Sequence, residues 1–153
     1  MRFDELDEQI IALLTEDART SNREVARIVG VSEAAIRKRL KRLAVQKAAK
    51  VAAVVNPAAV GLELAAFVRL QTSPGVARKV AEEAAKLNFV SFVALTTGRF
   101  NVVTLVTTTN RQTLADLVHD NFRCWPGVHH IDTVELVSVT KHRLDLVRIT
   151  GQT

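Results

Sequence analysis

Apolar residues recur at helical spacing over the first 47 positions and switch to strand-like runs from about position 62 onward. Between Asp4 and Glu16, Leu6, Ile10, Leu13 and Leu14 fall at i, i+4, i+7 and i+8. That is one buried stripe of a helix, with Asp4 placed to cap it. Asp17-Ala18-Arg19-Thr20 has no such period and reads as a loop. Ser21 opens a second helix: Ser21-Asn22-Arg23-Glu24 fits a capping box, Val25, Ile28 and Val29 form the apolar side, and Gly30 ends it. Ser32 caps a third helix, on which Ile36, Leu40 and Leu43 recur while Arg37, Lys38, Lys41 and Arg42 point elsewhere. Lys50–Val55 reads as a short strand, and Asn56-Pro57 followed by Gly61 predicts a hinge.

The second half alternates strand and helix patterns. Leu64–Gln71 reads as a strand and Ser73-Pro74-Gly75 as a turn. Val76–Leu87 follows as a helix with Val80, Ala84 and Leu87 on one side. Phe89–Thr96 and Val102–Thr108 are β-branched strands around Thr97-Gly98-Arg99-Phe100-Asn101. A helix from Arg111 to Arg123 carries Leu114, Leu117, Val118 and Phe122. Trp125-Pro126-Gly127 turns the chain into a last strand, Val128 to about Val139. The order βαββαβ predicts a four-stranded antiparallel sheet with two helices on one face, a ferredoxin-like layer. Its other face needs a cover, and a second subunit is the simplest. The expected class is α+β: a helix-turn-helix, winged-helix-like domain over residues 1–50, a strand and hinge over 51–61, and a ferredoxin-like domain over 62–153.

Composition narrows the class. A chain of 153 residues, 48% hydrophobic, is sufficient for one medium domain or two small ones with proper cores. Its longest apolar runs are too short to span a bilayer, and MRFDELDEQ lacks the basic flank and apolar centre of a secretion signal, so a cytoplasmic protein without membrane contact is expected. Cys124, the one cysteine, allows no internal disulfide. Charge is unevenly distributed. Residues 1–22 hold 2 basic and 6 acidic groups, residues 23–50 hold 9 and 2, and residues 51–153 hold 10 and 8. The middle segment therefore carries +7 of the net +5, against −4 before it and +2 after it. A solvated face usually mixes signs; a one-sign cluster favours a polyanionic partner.

Within that segment Ala26 lies four residues before Gly30, and Ile36 six after it. A small residue permits close approach of two helices, the glycine turns the chain, and the apolar residue locks the third helix on the second. This spacing points to a helix-turn-helix, with a generic helical hairpin as the alternative. Arg37, Lys38, Arg39, Lys41 and Arg42 can each neutralise a phosphate, which sets register without selecting sequence. Ser32, Glu33 and Ala34 begin the third helix, beside Ala35, where base reading would fall, and Arg37 and Lys38 reach far enough for guanine O6 and N7. Ser21, Asn22 and Arg23 start the second helix, whose free amides attract a phosphate. The competing reading of Arg39 or Arg42 is a pairing with acids of the first helix such as Glu16 or Asp17.

These residues and their order resemble the leucine-responsive regulator family, Lrp/AsnC. LDEQIIALLTEDART-SNREVA resembles the family's opening helix and entry to the motif, VGVSEAAIRKRLKRL its recognition helix, and AVVNPAAVG its exit to the hinge. TGRFNVV resembles the hairpin of its ligand domain and WPGV the turn before its last strand. The resemblance implies a DNA-binding transcription regulator that acts on double-stranded DNA. It also implies a homodimer assembled further into an even-numbered form such as an octamer, and an amino acid or related metabolite bound between subunits as effector. Two departures stand out. The recognition helix of the family commonly continues Leu-Glu-x-x-Gly, where this chain has Leu43 to Lys47. The family hairpin is often Gly-x-aromatic-Asp, where Asn101 stands here.

The same resemblance gives Thr97, Gly98, Arg99, Phe100 and Asn101 a ligand role, with Thr133 on the last strand as a further candidate whose plainer reading is a threonine that only forms sheet. Arg99 suits a carboxylate, and Asn101 offers both an acceptor and a donor. The plainer reading is a hairpin turn with an exposed arginine. No group of residues pairs a nucleophile with a base or gathers metal ligands: Cys124 has no evident base, and His129 and His130 face opposite ways in a strand, with His119 and His142 isolated. No catalytic residue, metal site or cofactor is expected. The rival from another class is a small-molecule-binding or enzymatic ferredoxin-like module whose N-terminal helices serve oligomer contacts; such a module has no need of the +7 segment.

Overall fold

A computed structural model describes residues 3–142. The chain divides into two compact units, one holding the residues up to Val54 and the other Val55–Thr140. The part of the expected C-terminal domain beyond residue 142 lies outside the described residues.

The first unit is helical. Helix α1 (Glu5–Glu16) starts at Asp4, whose Oδ1 accepts from the Asp7 amide at 2.8 Å while the Asp4 amide donates to Asp7 Oδ2 at 3.4 Å. The complete capping box lies here and not at Ser21. Ser21 caps α2 (Asn22–Val29) by accepting from the Glu24 amide at 3.2 Å, but the Glu24 carboxylate turns to Arg27 instead of returning to the cap. Gly30 ends α2 at φ 74°, a conformation that favours glycine. Ser32 caps α3 (Glu33–Val45). Ile10, Val25, Ala26 and Ile36 form the core, with Leu6, Leu13, Leu14, Val29 and Leu40 packed round it. Ile28, expected on the apolar side of α2, is 51% exposed; Ala26 takes its place inward.

Helix α3 closes in a Schellman motif: the Ala48 amide donates to Leu43 O at 2.9 Å and the Lys47 amide to Ala44 O at 3.0 Å. Lys47 therefore takes the left-handed conformation, φ 52°, at the position where the family commonly has glycine. The strand expected over Lys50–Val55 does not form. A strand needs a neighbour to complete its ladder, and the segment has none among the described residues, where Val51, Val54 and Val55 stay exposed. The first unit thus has no wing strand among its described residues. Pro57–Val60 makes a single 3-10 turn that ends at Gly61.

The second unit is the expected βαββαβ layer. Strands β1 (Leu64–Thr72), β2 (Val90–Leu95), β3 (Val102–Thr108) and β4 (Val128–Glu135) form one antiparallel sheet in the order β2-β3-β1-β4. Burial alternates along the central strands. Ala66, Val68, Leu70, Val102 and Val106 face α4 (Ala77–Ala84) and α5 (Arg111–Asp120), where Val80, Ala84, Leu114 and Phe122 complete the core. The last strand is shorter than its apolar pattern. Its final ladder bond among the described residues runs from the Leu136 amide to Ala65 O, one residue inside the start of β1, where β1 itself runs out. Helix α5 ends at Asp120, where the Asn121 amide and side chain both donate to Leu117 O, at 3.2 and 2.8 Å, and a short 3-10 turn then drops Phe122 into the core.

Candidate nucleic-acid interface and ligand hairpin

Two faces of α3 have different fates. Ile36 and Leu43 are fully buried and fix its back. Ser32, Glu33, Ala34, Arg37, Lys38 and Lys41 are exposed, as are Ser21 and Arg23 at the start of α2, with Asn22 half-buried. Arg37 pairs with Glu33 one turn earlier, a pair with both side chains open to solvent. Such pairs are weak and exchange readily for another anion. Arg23, Lys38, Lys41, Lys47 and Lys50 make no ion pair among the described residues.

Arg39 and Arg42 differ from these. Arg39 Nη1 donates to Asp4 at 2.6 and 2.8 Å and to Asp7 Oδ1 at 2.9 Å; Arg42 Nη2 donates to Asp7 Oδ2 at 2.5 Å. The competing reading, a pairing with acids of the first helix, thus holds for both arginines, but the acids are Asp4 and Asp7 at its start and not Glu16 and Asp17 at its end. The guanidinium of Arg39 and the Asp7 amide hold the Asp4 carboxyl below the usual aspartate range, and Asp4 in turn raises Arg39. The signal for this contact was the i, i+3 pair of acids at the first turn of α1.

The hairpin residues are exposed at Thr97, Gly98 and Arg99 and half-buried at Phe100 and Asn101. Phe100 has two cations over its ring, with Arg69 5.1 Å and Arg99 5.6 Å from its centre, and the His130 ring 5.9 Å away. Arg69 also pairs with Asp132 across the β1–β4 ladder. Asn101 is engaged with the backbone: Oδ1 accepts from the Thr72 amide at 2.9 Å and from Thr72 Oγ1 at 3.1 Å, and Nδ2 donates to Thr72 O at 3.1 Å. One Nδ2 hydrogen is left. Thr133 is not brought to the hairpin. Opposite buried Val68, it opens into a groove of about 750 Å³ between α5 and β4, whereas Arg99 meets Gln71 on the other face of the sheet. Sequence reasoning missed both the Thr72 anchor and the Arg69–Phe100–His130 group, which depend on strand register.

Among the described residues no group of three or more His, Cys, Asp or Glu could hold a metal ion, and no helix is long and apolar enough to cross a membrane. Residues 3–44 match the AsnC-type helix-turn-helix domain and residues 65–146 the Lrp/AsnC ligand binding domain. An HTH-type transcriptional regulator of Pyrococcus furiosus is 35% identical over 91% of this chain and 95% of the relative. The regulator FL11 of Pyrococcus abyssi is 31% identical over 94% of this chain and 95% of its own. Among solved structures, the complex of a Neisseria meningitidis transcriptional regulator with L-Met is 26% identical, with TM-score 0.83 over 95% of this chain and 97% of that one. AsnC of E. coli, 21% identical, shares the fold with TM-score 0.84 over 94% and 97%. These likenesses are to regulators and not to enzymes, and they cover both units. The chain belongs to the Lrp/AsnC family of HTH-type transcriptional regulators.

Proposed function

We propose that α3 enters the major groove of an operator, with Arg37 and the residues from Ser32 to Ala34 facing base edges and Lys38 and Lys41 on phosphate. The observation that carries this reading is the split of α3 between a back fixed by Ile36 and Leu43 and a solvent-exposed front on which Lys38 and Lys41 have no acidic partner among the described residues and Arg37 has only the exposed Glu33 of its own helix. Ser21, Asn22 and Arg23 offer the start of α2 to a neighbouring phosphate.

A homodimer presents two such helices to a pseudo-palindromic site. Its support is the sheet face opposite α4 and α5, where Phe67, Phe92, Leu105 and Val134 stand together and Phe92 is 50% exposed. Assembly beyond the dimer and a cytoplasmic setting accompany this reading. The effector is an amino acid or a related carboxylate, as the L-Met complex of the Neisseria relative suggests. Arg99, with Gly98 and Thr97 open beside it, is the group suited to its carboxylate.

The test is titration of a labelled duplex from the protein's own upstream region, with a scrambled duplex as control. Wild type is expected to prefer the first, and Arg37→Ala to lose that preference. Equal, weak and equally salt-sensitive binding to both duplexes by both proteins would end the reading. Phe92→Asp, followed by light scattering, tests the dimer separately.

A further inference from the structure

The acids at the start of α1 do more than cap their own helix. Asp7 has a side chain only 2% exposed, yet both of its oxygens are occupied by arginines of α3. Asp4 adds a second carboxylate to Arg39. Two carboxylates and two guanidiniums thus tie the first turn of α1 to the middle of α3, and their formal charges cancel.

We infer that Asp7, seconded by Asp4, is a positioning residue for DNA recognition: it withholds Arg39 and Arg42 from the phosphate backbone and fixes the rotation of α3 about its axis. This rests on the docking of α3 proposed above. For a phosphate to capture either arginine, Asp7 must keep its charge in a place nearly without water and with fewer cations beside it. A phosphate has no such constraint, because it stays hydrated and meets Lys38 and Lys41, which make no ion pair among the described residues. The acids are also held within reach by the chain, whereas the phosphate has to be brought in. Arg39 and Arg42 do line, with Ala35 and Lys38, a shallow recess of about 370 Å³, so their outer sides are open to an anion. What the anion meets there is charge already neutralised. Apolar contacts through Ile36 and Leu43 resist separation of the helices but are not directional. The hydrogen-bonded pairs are directional, and they determine which side chains of the first turns of α3 face outward.

The cations of α3 are therefore unequal, and salt dependence measures the difference. The full chain is titrated by fluorescence anisotropy into the upstream duplex and a scrambled duplex over a series of salt concentrations. Lys38→Gln is expected to lower the slope of log affinity against log salt by about 0.9 per bound α3, and Arg42→Gln to leave it unchanged. Asp7→Asn is expected to steepen the slope, by up to about 1.8 if both arginines reach phosphate, and to reduce the preference for the upstream duplex. Should Asp7→Asn fail to fold, Asp4→Asn, at an exposed residue, leaves Arg39 held by Asp7 alone and is expected to move the slope the same way by less. If Arg42→Gln lowers the slope as much as Lys38→Gln, the clamp is overturned while the docking of α3 stands. If neither changes it, the docking itself is wrong and the clamp falls with it.

Discussion

Replacing Asn101 by alanine separates two roles that the sequence leaves entangled. The amide makes three hydrogen bonds to Thr72, two of them to its backbone. Thr72 is 6% exposed, at the end of β1 where the register to β4 shifts, so the strand ladder does not replace these bonds. Truncation leaves an N–H and a C=O short of a partner, each costing about 1–3 kcal/mol when buried. Water reaches the half-buried Asn101 side of the gap, which puts the total at about 2–4 kcal/mol. For a unit of 86 residues, Val55–Thr140, that corresponds to a fall in melting temperature of roughly 10–20 °C. The assay is calorimetry of the protein without added ligand. Asn101→Asp keeps both accepted bonds but turns an oxygen toward the Thr72 carbonyl, and is expected to lose about 1–2 kcal/mol. A residue that serves only an effector would leave the unliganded transition where it is. An Asn101→Ala protein melting within the error of wild type would refute the anchoring role.

Other outcomes follow from backbone and charge. Gly127 sits at φ 83° with an added Cβ only 2.8 Å from Val76 Cγ2, so Gly127→Ala should destabilise the second unit by about 1–3 kcal/mol, read as a lower urea midpoint. Lys47→Gly should stabilise the first unit by about 1 kcal/mol, because glycine accepts the left-handed position that lysine occupies under strain; a lower midpoint would contradict it. Asp4 and Glu24 both have depressed folded-state pKa values, set chiefly by hydrogen bonds from Arg39 and Arg27. The stability they add is present above the usual values of 3.8 and 4.5 and is lost as pH falls through the lower folded values, so the first unit should melt earlier on acidification through that range. Asp4→Asn should flatten part of the decline.

Strand order, helix order and core were legible because they depend on period. The alternation along Leu64–Thr72 and Val102–Thr108 determines which face is buried, and βαββαβ order with short connections leaves few sheets to choose from. What was not legible depends on a partner distant in sequence. Lys50–Val55 has a strand composition, but composition does not supply a neighbour. On a helical wheel Arg39 flanks the apolar stripe of Ile36, Leu40 and Leu43 while Lys38 lies opposite it, but only the packing of α1 against α3 shows which acids meet Arg39. Asn101 was read for its chemistry toward a ligand, and its use by Thr72 becomes visible only once β3 lies beside β1. Thr133 was grouped with the hairpin by resemblance, yet the pleat of β4 turns it to the opposite face.

The charge of the helix-turn-helix changes meaning once its pairs are assigned. Residues 23–50 carry a balance of +7, but Arg27, Arg37, Arg39 and Arg42 all have carboxylate partners, and four of the five cations left without an ion pair among the described residues, Lys38, Lys41, Lys47 and Lys50, are lysines. A lysine is a hydrated point charge on a flexible stem, well suited to phosphate and poorly suited to a bidentate contact with one base. Affinity and selectivity should therefore separate. On the proposed docking the lysines would supply the salt-dependent attraction, and Arg37, freed from Glu33 at small cost, would be the planar donor able to match guanine O6 and N7. Arg37→Lys keeps the charge and removes the fork. It should leave binding to scrambled DNA and the salt slope nearly unchanged while reducing discrimination at one base pair by about 1–3 kcal/mol. Loss of affinity to both duplexes alike would assign Arg37 to the phosphates and leave base reading to the small residues at the start of α3.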